Sequence, residues 1–479
     1  MDDFLLYSLF FSVLYVSLSI IYFITKANTS KPNLPPGSTG WPVIGENIDL
    51  MVPEKYISDR MKKYSPEVFK TSILGEKVAV FCGAAGNKFF FTNENTLLTT
   101  WWPQSVTKPL MFPTDAQNTL RKITILNRTN IHEIFKLENL KHYIPTMDSM
   151  AKEHIAEEWA PFREVKVYAL SKYYTFALAC KLFLSIEDRD EVKRLLDPII
   201  LVSTGMFSLP LNFPGTAYNR AMKGGSMVRR QLVEVIKERK AKAMMNSLGK
   251  VEDEGRDVLG RLLSVTDEEG QHLNEFEIYH YIIGILLPTY HSTSAAITFV
   301  LKFLAELPHI YQQVYKEQIE IAKSKGPNER LSWEDIQKMK YSWNVACEAL
   351  RLFPPGQGGF RETVTDFTYA GFTIPKGWKT FWNVYSTHKN PKYFSEPDKF
   401  DPSRYEGNGP APFTFVPFGG GPRMCPGKEY ARLEVLVFMH NVVTNFKMEK
   451  LVPNEKIVYN SASPIPVNGL PVRLTPHQN

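Results

Sequence analysis

Cysteine is scarce in this chain of 479 residues. Only Cys82, Cys180, Cys347 and Cys425 occur, and they lie far apart. No CxxC pair is present, so closely spaced thiolates cannot build a zinc or iron–sulfur site. The spacing gives no disulfide framework, which fits a reducing compartment.

Dense runs of basic charge are also missing, although the net charge is +6. This pattern argues against nucleic acid as a partner and is compatible with an anionic membrane surface or an acidic electron donor. The single glycine-rich run, residues 418–427, does not match a phosphate-binding loop. Its Gly421–Gly427 spacing is one residue too long, and Met424 stands where GxGxxG requires glycine.

Apolar residues make up 44% of the chain, enough to fill a large core. Residues 4–24 contain no charge and are long enough to cross a bilayer. Acidic residues precede this run and Lys26 and Lys31 follow it, which favours a retained anchor over a cleaved signal and places the body in the cytosol. We therefore predict a membrane anchor at 1–26, followed by one soluble domain at 27–479, because no composition shift marks a second one.

Helical spacing dominates the soluble part, so the predicted fold class is mainly α (α+β) with a small β region. Apolar periodicity predicts helices in seven segments: 55–70, 131–160, 166–185, 217–243, 274–307, 340–353 and 428–438. Strand signals cluster near 78–91 and 361–385. Ser332 and Asp335 form a capping-box pattern.

The loop that ends at Cys425 carries the clearest chemical signal. The cysteine precedes an apolar-periodic helix, whose positive N-terminal end and unsatisfied N–H groups favour thiolate over thiol. Consecutive glycines let backbone amides approach the sulfur closely, and Arg423 can meet an anionic group on a bound ligand. A lone thiolate of this kind can be the single axial ligand of a haem iron. The alternative is an ordinary buried cysteine beside a loop.

The motif Phe418-x-x-Gly421-x-Arg423-x-Cys425-x-Gly427 resembles the haem-binding signature of the cytochrome P-450 superfamily, with every fixed position filled. The resemblance covers essentially the whole chain. It implies the cytochrome P-450 fold, haem b as cofactor and Cys425 as its axial metal ligand. It also implies that Arg361 and Arg128 pair with the haem propionates; a surface arginine is the alternative for Arg361.

Glu348 and Arg351 lie on one helix face, and Arg404 follows in an FDPSR segment. Together they resemble the ExxR-type structural triad of the family, with Tyr405 in place of the usual phenylalanine. The resemblance gives them a structural role, because breaking a buried charged network leaves an uncompensated charge.

The long helix at 274–307 departs from the family pattern. Where members usually carry an acid–alcohol pair that delivers protons for oxygen activation, this chain has His291 and Ser292. Ser292 keeps a hydroxyl and His291 can carry a proton near neutral pH, so both are candidate catalytic residues. Pro288 removes one N–H and predicts a kink that substitutes for the family's glycines.

The tracts at 365–378 and 400–443 resemble plant triterpenoid oxidases, and most of all β-amyrin 28-oxidases. The resemblance implies oxidation of a triterpenoid, with the C-28 methyl as one possible position. It also implies dioxygen, electrons from an NADPH-cytochrome P-450 reductase and an endoplasmic reticulum membrane location.

Three hypotheses follow from these patterns. The first, favoured by Ser292 and the intact loop, is a membrane-bound monooxygenase. The second is a haem-thiolate isomerase or dehydratase that acts without NADPH, which the changed pair at His291 and Ser292 suggests. The third is a catalytically silent haem-binding homologue.

Overall fold

The computed structural model describes residues 33–41, 45–47, 49, 52–111, 134–246, 257–266, 270–326, 328–460 and 463–477, with a few positions between 7 and 17. Most of the predicted anchor therefore lies outside the described residues. Positions 7, 10, 11 and 13–17 are helical, and their large apolar side chains are exposed.

The chain forms two compact units. The smaller comprises residues 1–101 and 360–383, and the larger comprises 102–359 and 384–479. The helices and strands of the smaller unit, with β5 beginning two residues before it, are α1 Pro53–Lys63, β1 Val68–Ile73, β2 Glu76–Phe81, α2 Gly83–Thr92, β3 Leu98–Thr100, β5 Gly358–Thr363, β6 Phe367–Tyr369, β7 Phe372–Ile374 and β8 Lys379–Asn383.

A five-stranded sheet with the order β1-β2-β8-β5-β3 organises the smaller unit. β1 and β2 form an antiparallel hairpin, β2 runs parallel to β8, and β3 runs antiparallel to β5. Every residue of β8 is buried, as expected for a strand flanked on both sides.

Helices dominate the larger unit. Its helices are α3 Gln104–Thr107, α4 Leu137–Glu158, α5 Val167–Leu184, α6 Arg189–Gly205, α7 Ala217–Asn246, α8 Val258–Ser264, α9 Glu275–Glu306, α10 Pro308–Lys323, α11 Trp333–Lys338, α12 Lys340–Leu352, α13 Tyr385–His388 and α14 Lys428–Asn445. Its strands are β4 Glu164–Lys166, β9 Phe446–Lys450, β10 Ile457–Asn460, β11 Ser463–Pro466 and β12 Pro471–Pro476. β4, β12 and β9 form one antiparallel sheet, and β10 pairs with β11.

The core of the larger unit is built around α9. This helix begins at Asn274, whose side chain accepts the N–H groups of Phe276 and Glu277 in a capping box. Most of its side chains are buried on all sides, so apolar periodicity gives way to an almost continuous apolar run. In the described part of the chain, α9 is also the one helix long and apolar enough to cross a membrane, but it is mostly buried in protein.

Most predicted elements are confirmed within a few residues, including the capping box at Ser332 and Asp335. Two assignments were wrong. The helix predicted at 55–70 ends at Lys63, because Pro66 disfavours helical backbone before it and β1 follows. The strand signal at 78–91 stops at Phe81, and residues 83–92 are helical.

Candidate active site

Cys425 lies in the loop that leads into α14. Its backbone N–H donates to the Phe418 carbonyl at 2.9 Å, and the Lys428 N–H approaches the Cys425 carbonyl at 3.4 Å. These contacts hold the cysteine just before the first turn of the helix, where the helix dipole favours an anion. The cysteine is exposed, and Arg423, two residues earlier, is half-buried.

Two of the glycines in this loop adopt backbone that other residues avoid. Gly419 has a φ of 70° and Gly421 a φ of 64°, both in the left-handed region. Gly427 has ordinary φ, but a Cβ added there would lie 3.9 Å from the Cys425 sulfur. The positive φ values of Gly419 and Gly421 thus set the path of the loop, and Gly427 lies within ordinary contact distance of the sulfur.

The other three cysteines cannot serve as ligands of a large cofactor. Cys82, Cys180 and Cys347 are all buried. Burial raises the pKa of each thiol, which favours the protonated form. Only Cys425 combines an exposed sulfur with a helix N-terminus, so the residues present fit a single-thiolate haem site.

The long helix α9 carries the second group of candidates. The Ser292 side chain is exposed, and its hydroxyl donates to the Pro288 carbonyl at 2.8 Å. Thr289 and Ser294 make similar bonds to carbonyls four residues earlier. α9 is assigned as one helix through Pro288, so the proline does not end it, and the kink stays a prediction.

His291 differs in one respect from the expectation that it carries a proton near neutral pH. Burial, and then the positive charge of Lys172, lower its pKa to about 4. The resting imidazole is therefore neutral at pH 7, and its buried Nδ1 has no hydrogen-bond partner among the described residues. The lowered pKa makes the ring a weak base, so it can carry a proton only transiently.

The structure says less about the two arginines that were predicted to pair with the haem propionates. Arg361 belongs to the smaller unit, where its Nε donates to Glu94 at 2.6 Å and a terminal nitrogen donates to the Phe360 carbonyl. The guanidinium already has an anionic partner, and its role toward a propionate stays a prediction. Arg128 lies outside the described residues.

Comparison with known proteins places this geometry in a family. The family model for cytochrome P-450 matches residues 35–468. This chain is a cytochrome P-450. A solved structure, retinoic acid bound cyanobacterial CYP120A1, superposes with a TM-score of 0.82 at 30% identity, covering 93% of this chain and all of the other.

Curated relatives that are similar over their full length include plant enzymes. A beta-amyrin 6-beta-monooxygenase of Solanum lycopersicum is 64% identical over 99% of this chain and 100% of its own length. A beta-amyrin 28-monooxygenase of the same species is 52% identical, over 98% of this chain and 97% of its own length. The chain is therefore a monooxygenase of the plant triterpenoid group, and its cofactor is haem held by a cysteine thiolate. The isomerase and silent-homologue alternatives gain no support.

A buried charged network holds the helix α12 of this cytochrome P-450. Arg351 and Glu348, both fully buried, form two parallel hydrogen bonds of 2.8 Å. The remaining Arg351 donors reach the carbonyls of His388, Pro397 and Lys399. This confirms the predicted pairing and satisfies the buried guanidinium.

The remaining members of the network come from the segment after α13. Arg404 Nε donates to Glu348 at 3.2 Å, and the backbone N–H of Asp401 donates at 3.0 Å. The Tyr405 hydroxyl also donates to Glu348, at 3.1 Å. The tyrosine that departs from the family pattern thus adds a hydrogen bond that phenylalanine cannot make.

Two buried groups were not singled out from the sequence. Glu434 on α14 is fully buried, and burial raises its pKa well above the ordinary value, which favours the neutral carboxyl. The Thr293 side chain lies next to it, yet neither carboxyl oxygen makes a hydrogen bond of normal geometry in the described structure. The signal in the sequence was an acidic residue within an apolar helix. Lys172 on α5 had no local signal, because only the packing of helices places it near His291.

Three buried histidines predict acid sensitivity. Burial lowers the pKa of His154 and His440 to about 4 and that of His388 to about 3. Since the unfolded chain binds these protons near pH 6.5, their contribution to stability is complete above that pH and lost below it. We expect the free energy of unfolding to fall by about 1 kcal/mol per pH unit for each histidine between pH 6 and pH 5.

Urea unfolding followed by circular dichroism between pH 7 and pH 5 measures this slope. His154 provides the control, because its ring stacks on Tyr173 and packs near Tyr174 and Phe438. His154→Phe keeps those ring contacts and should lower the slope by about 1 kcal/mol per pH unit, the contribution of one histidine. An unchanged slope in this variant would show that His154 does not titrate as described.

Proposed function

We propose that this cytochrome P-450 is a membrane-anchored monooxygenase that hydroxylates a pentacyclic triterpene of the β-amyrin type. The observation that carries the proposal is the 64% identity, over the full length of both chains, to an enzyme named for oxidation of beta-amyrin. The alignment spans 99% of this chain and all of that enzyme, so it is not confined to the haem loop.

The same comparison bears on the oxidised carbon. Identity to the 6-beta-monooxygenase is 64%, against 52% for the 28-monooxygenase of the same plant. We therefore place position 6 of the ring system first and the C-28 methyl second. The two outcomes differ chemically, since a ring methylene gives a secondary alcohol, whereas a methyl can proceed through alcohol and aldehyde to acid.

Cys425 is the residue we assign as the thiolate ligand of haem. Bound haem supplies the chemistry that uses dioxygen and electrons to insert one oxygen atom into a carbon–hydrogen bond. Phe418, Gly421 and Gly427 keep the loop in the shape that leaves the sulfur accessible. Arg423, together with Arg361 and Arg128, is assigned to the acidic groups of the cofactor.

On α9, Ser292 and His291 are assigned to proton delivery. The Ser292 hydroxyl donates to a backbone carbonyl at rest, so its lone pairs are available to accept a proton and its own proton becomes available on rotation. The neutral His291 imidazole has one nitrogen that accepts and one that donates, which suits a relay.

Electrons come, we propose, from an NADPH-cytochrome P-450 reductase at the endoplasmic reticulum membrane, with the catalytic domain in the cytosol. The exposed apolar helical residues between 7 and 17 support the single-pass anchor. The loop before α7 also exposes Leu211 and Phe213, and we assign it to contact with the membrane surface.

The test is product analysis from microsomes that contain this protein and a plant reductase. β-Amyrin is supplied with and without NADPH, and products are identified by gas chromatography and mass spectrometry. We expect a product one oxygen atom heavier that requires NADPH, and its retention time against standards distinguishes the ring alcohol from the C-28 series.

Microsomes with the reductase alone provide the background. A correctly folded haem protein, shown by its reduced carbon monoxide spectrum, that oxidises no pentacyclic triterpene would contradict the proposed substrate. Formation of a C-28 acid would show that the enzyme oxidises the C-28 methyl and not position 6.

A further inference from the structure

One face of α5 packs against the turn of α9 that carries His291. The Thr175 hydroxyl donates to the Tyr290 carbonyl at 3.4 Å, and the Phe176 and Tyr290 rings meet edge to face at 5.7 Å. Thr175 and Lys172 are three residues apart, so they share this face of the helix. The packing therefore sets Lys172 beside the part of α9 that includes His291.

Lys172 is the charged group of this contact. Its Nζ lies 5.2 Å from the centre of the Tyr290 ring and 4.5 Å from that of Tyr168. The side chain is half-buried, and no carboxylate in the described part of the chain pairs with it. A cation held between aromatic faces without an anion is unusual, because desolvating an unpaired charge is costly.

Polar atoms without partners occur on the same stretches of α5 and α9 as this lysine and His291. The Ser171 Oγ, the hydroxyls of Tyr168 and Tyr290 and the Nδ1 of His291 are all buried, and within the described residues none has a hydrogen-bond partner. Buried polar groups are almost always hydrogen-bonded, and ordered water is the usual partner when protein supplies none. The arrangement points to a small group of internal waters between Lys172 and His291.

We propose that Lys172, this internal water and His291 form the proton supply of the enzyme, in place of the carboxylic acid that family members usually carry at position 291. The Lys172 ammonium gives one proton to water, and water gives one to Nδ1 of His291. The other ring nitrogen then releases a proton on the Ser292 side of the helix. Lys172 regains its proton from solvent, so only protons move and no electron is transferred.

The groups that face this route fit these roles. Burial lowers the pKa of Lys172 to about 8, so the ammonium is a usable acid near neutral pH. Burial raises the pKa values of Tyr168 and Tyr290, which keeps both phenols neutral. Glu434 on α14 is another buried acid, and burial raises its pKa well above the ordinary value, which favours its protonated form.

Variants of Lys172 separate proton supply from simple charge. Lys172→Arg keeps the positive charge, but a guanidinium does not release its proton. Lys172→Met keeps most of the apolar stem and removes both the positive charge and the proton that could be released. Each variant is compared with wild type for coupling, the amount of product formed per NADPH consumed. The measurement is made in normal and in heavy water, and peroxide release reports the loss of coupling.

We expect both variants to lower product per NADPH by about tenfold, a modest share of what general acid catalysis contributes. Wild-type coupling should also fall as the pH rises through about 8. In a His291→Asp background the carboxylate replaces the relay, so Lys172→Arg should no longer lower coupling. Normal coupling and an unchanged solvent isotope effect in Lys172→Arg would overturn the proposal, as would loss of coupling in Glu434→Gln alone.

A second readout needs no substrate. Because the folded pKa of Lys172 lies below the ordinary value, the unfolded chain binds more protons between pH 8 and pH 10, and stability should rise across that range. The urea midpoint of wild-type holoenzyme should rise accordingly, and that of Lys172→Met should not. Equal rises in the two proteins would overturn the buried ammonium on which the relay depends.

The relay rests on the proposed function only through the assay substrate. If wild type forms no product from β-amyrin, the substrate assignment fails, and the urea measurement still tests Lys172. If wild type and Lys172→Arg turn over equally well, the relay fails and the substrate assignment stands.

Discussion

Cys425→Ala is expected to abolish oxidation of the substrate and to remove the absorption band that thiolate ligation gives to the reduced carbon monoxide complex. The reason is that Cys425 is the exposed cysteine of the chain, whereas the other three are buried and protonated. No neighbouring thiolate can substitute for it. The measurements are the carbon monoxide difference spectrum and product formation in the same microsomes.

Cys347→Ala is the matched control. Cys347 is buried in α12, so its loss removes packing and should cost about 1 kcal/mol of stability while leaving the spectrum intact. If Cys425→Ala retained the thiolate spectrum, or if Cys347→Ala lost it, the assignment of the ligand would be wrong.

Arg351→Ala is expected to lower the free energy of unfolding by about 3–5 kcal/mol, the usual cost of removing one partner of a buried ion pair. Arg351 donates to both oxygens of Glu348 and to three backbone carbonyls. Its loss leaves a buried carboxylate and buried acceptors without their donors. Urea unfolding of the holoenzyme measures the change, and low yield of haem-loaded protein should accompany it.

Arg404→Ala provides the comparison within the same network. Arg404 makes one bond to Glu348, at 3.2 Å, and the Tyr405 hydroxyl and the Asp401 N–H remain in place when it is removed. We expect a loss of less than half that of Arg351→Ala. Equal losses of unfolding free energy in the two variants would show that Arg351 contributes no more to stability than Arg404.

The fold was predictable where local signals and burial agree. Asn274 and Glu277 cap α9, and the apolar run after them admits no other assignment. The Phe residues of α2 misled the strand prediction because β propensity describes a fit to a half-buried surface. In the structure Phe81 and Phe90 pack edge to face, and Phe91 packs on Trp382, so tertiary contacts decide for helix.

Several helices escaped prediction, and the two longest of them carry recognisable start signals. Asp188 caps α6 by accepting the N–H groups of Asp190 and Glu191, and α10 begins at Pro308, a favoured first helical residue.

The residues of the candidate site also fall into those that a local sequence pattern predicts and those that it does not. Its loop is a contiguous segment, so the local pattern and its resemblance to the family signature were enough to predict Cys425, Arg423 and the glycines. The contact of Lys172 with the turn at Tyr290 joins residues more than a hundred positions apart, and no local pattern encodes it. The pKa of His291 likewise depends on burial and on Lys172, neither of which a sequence shows.

The missing N–H of Pro288 has a consequence for the motions of α9. The Gly284 carbonyl lacks the N–H donor that an α-helix would place four residues later. One backbone hydrogen bond of the helix is therefore missing in the middle of the core. The side chains on both sides of Pro288 are buried. Side-chain packing, and not a continuous set of backbone hydrogen bonds, therefore keeps the two parts of α9 in line, so changes in that packing should bend the helix at this point.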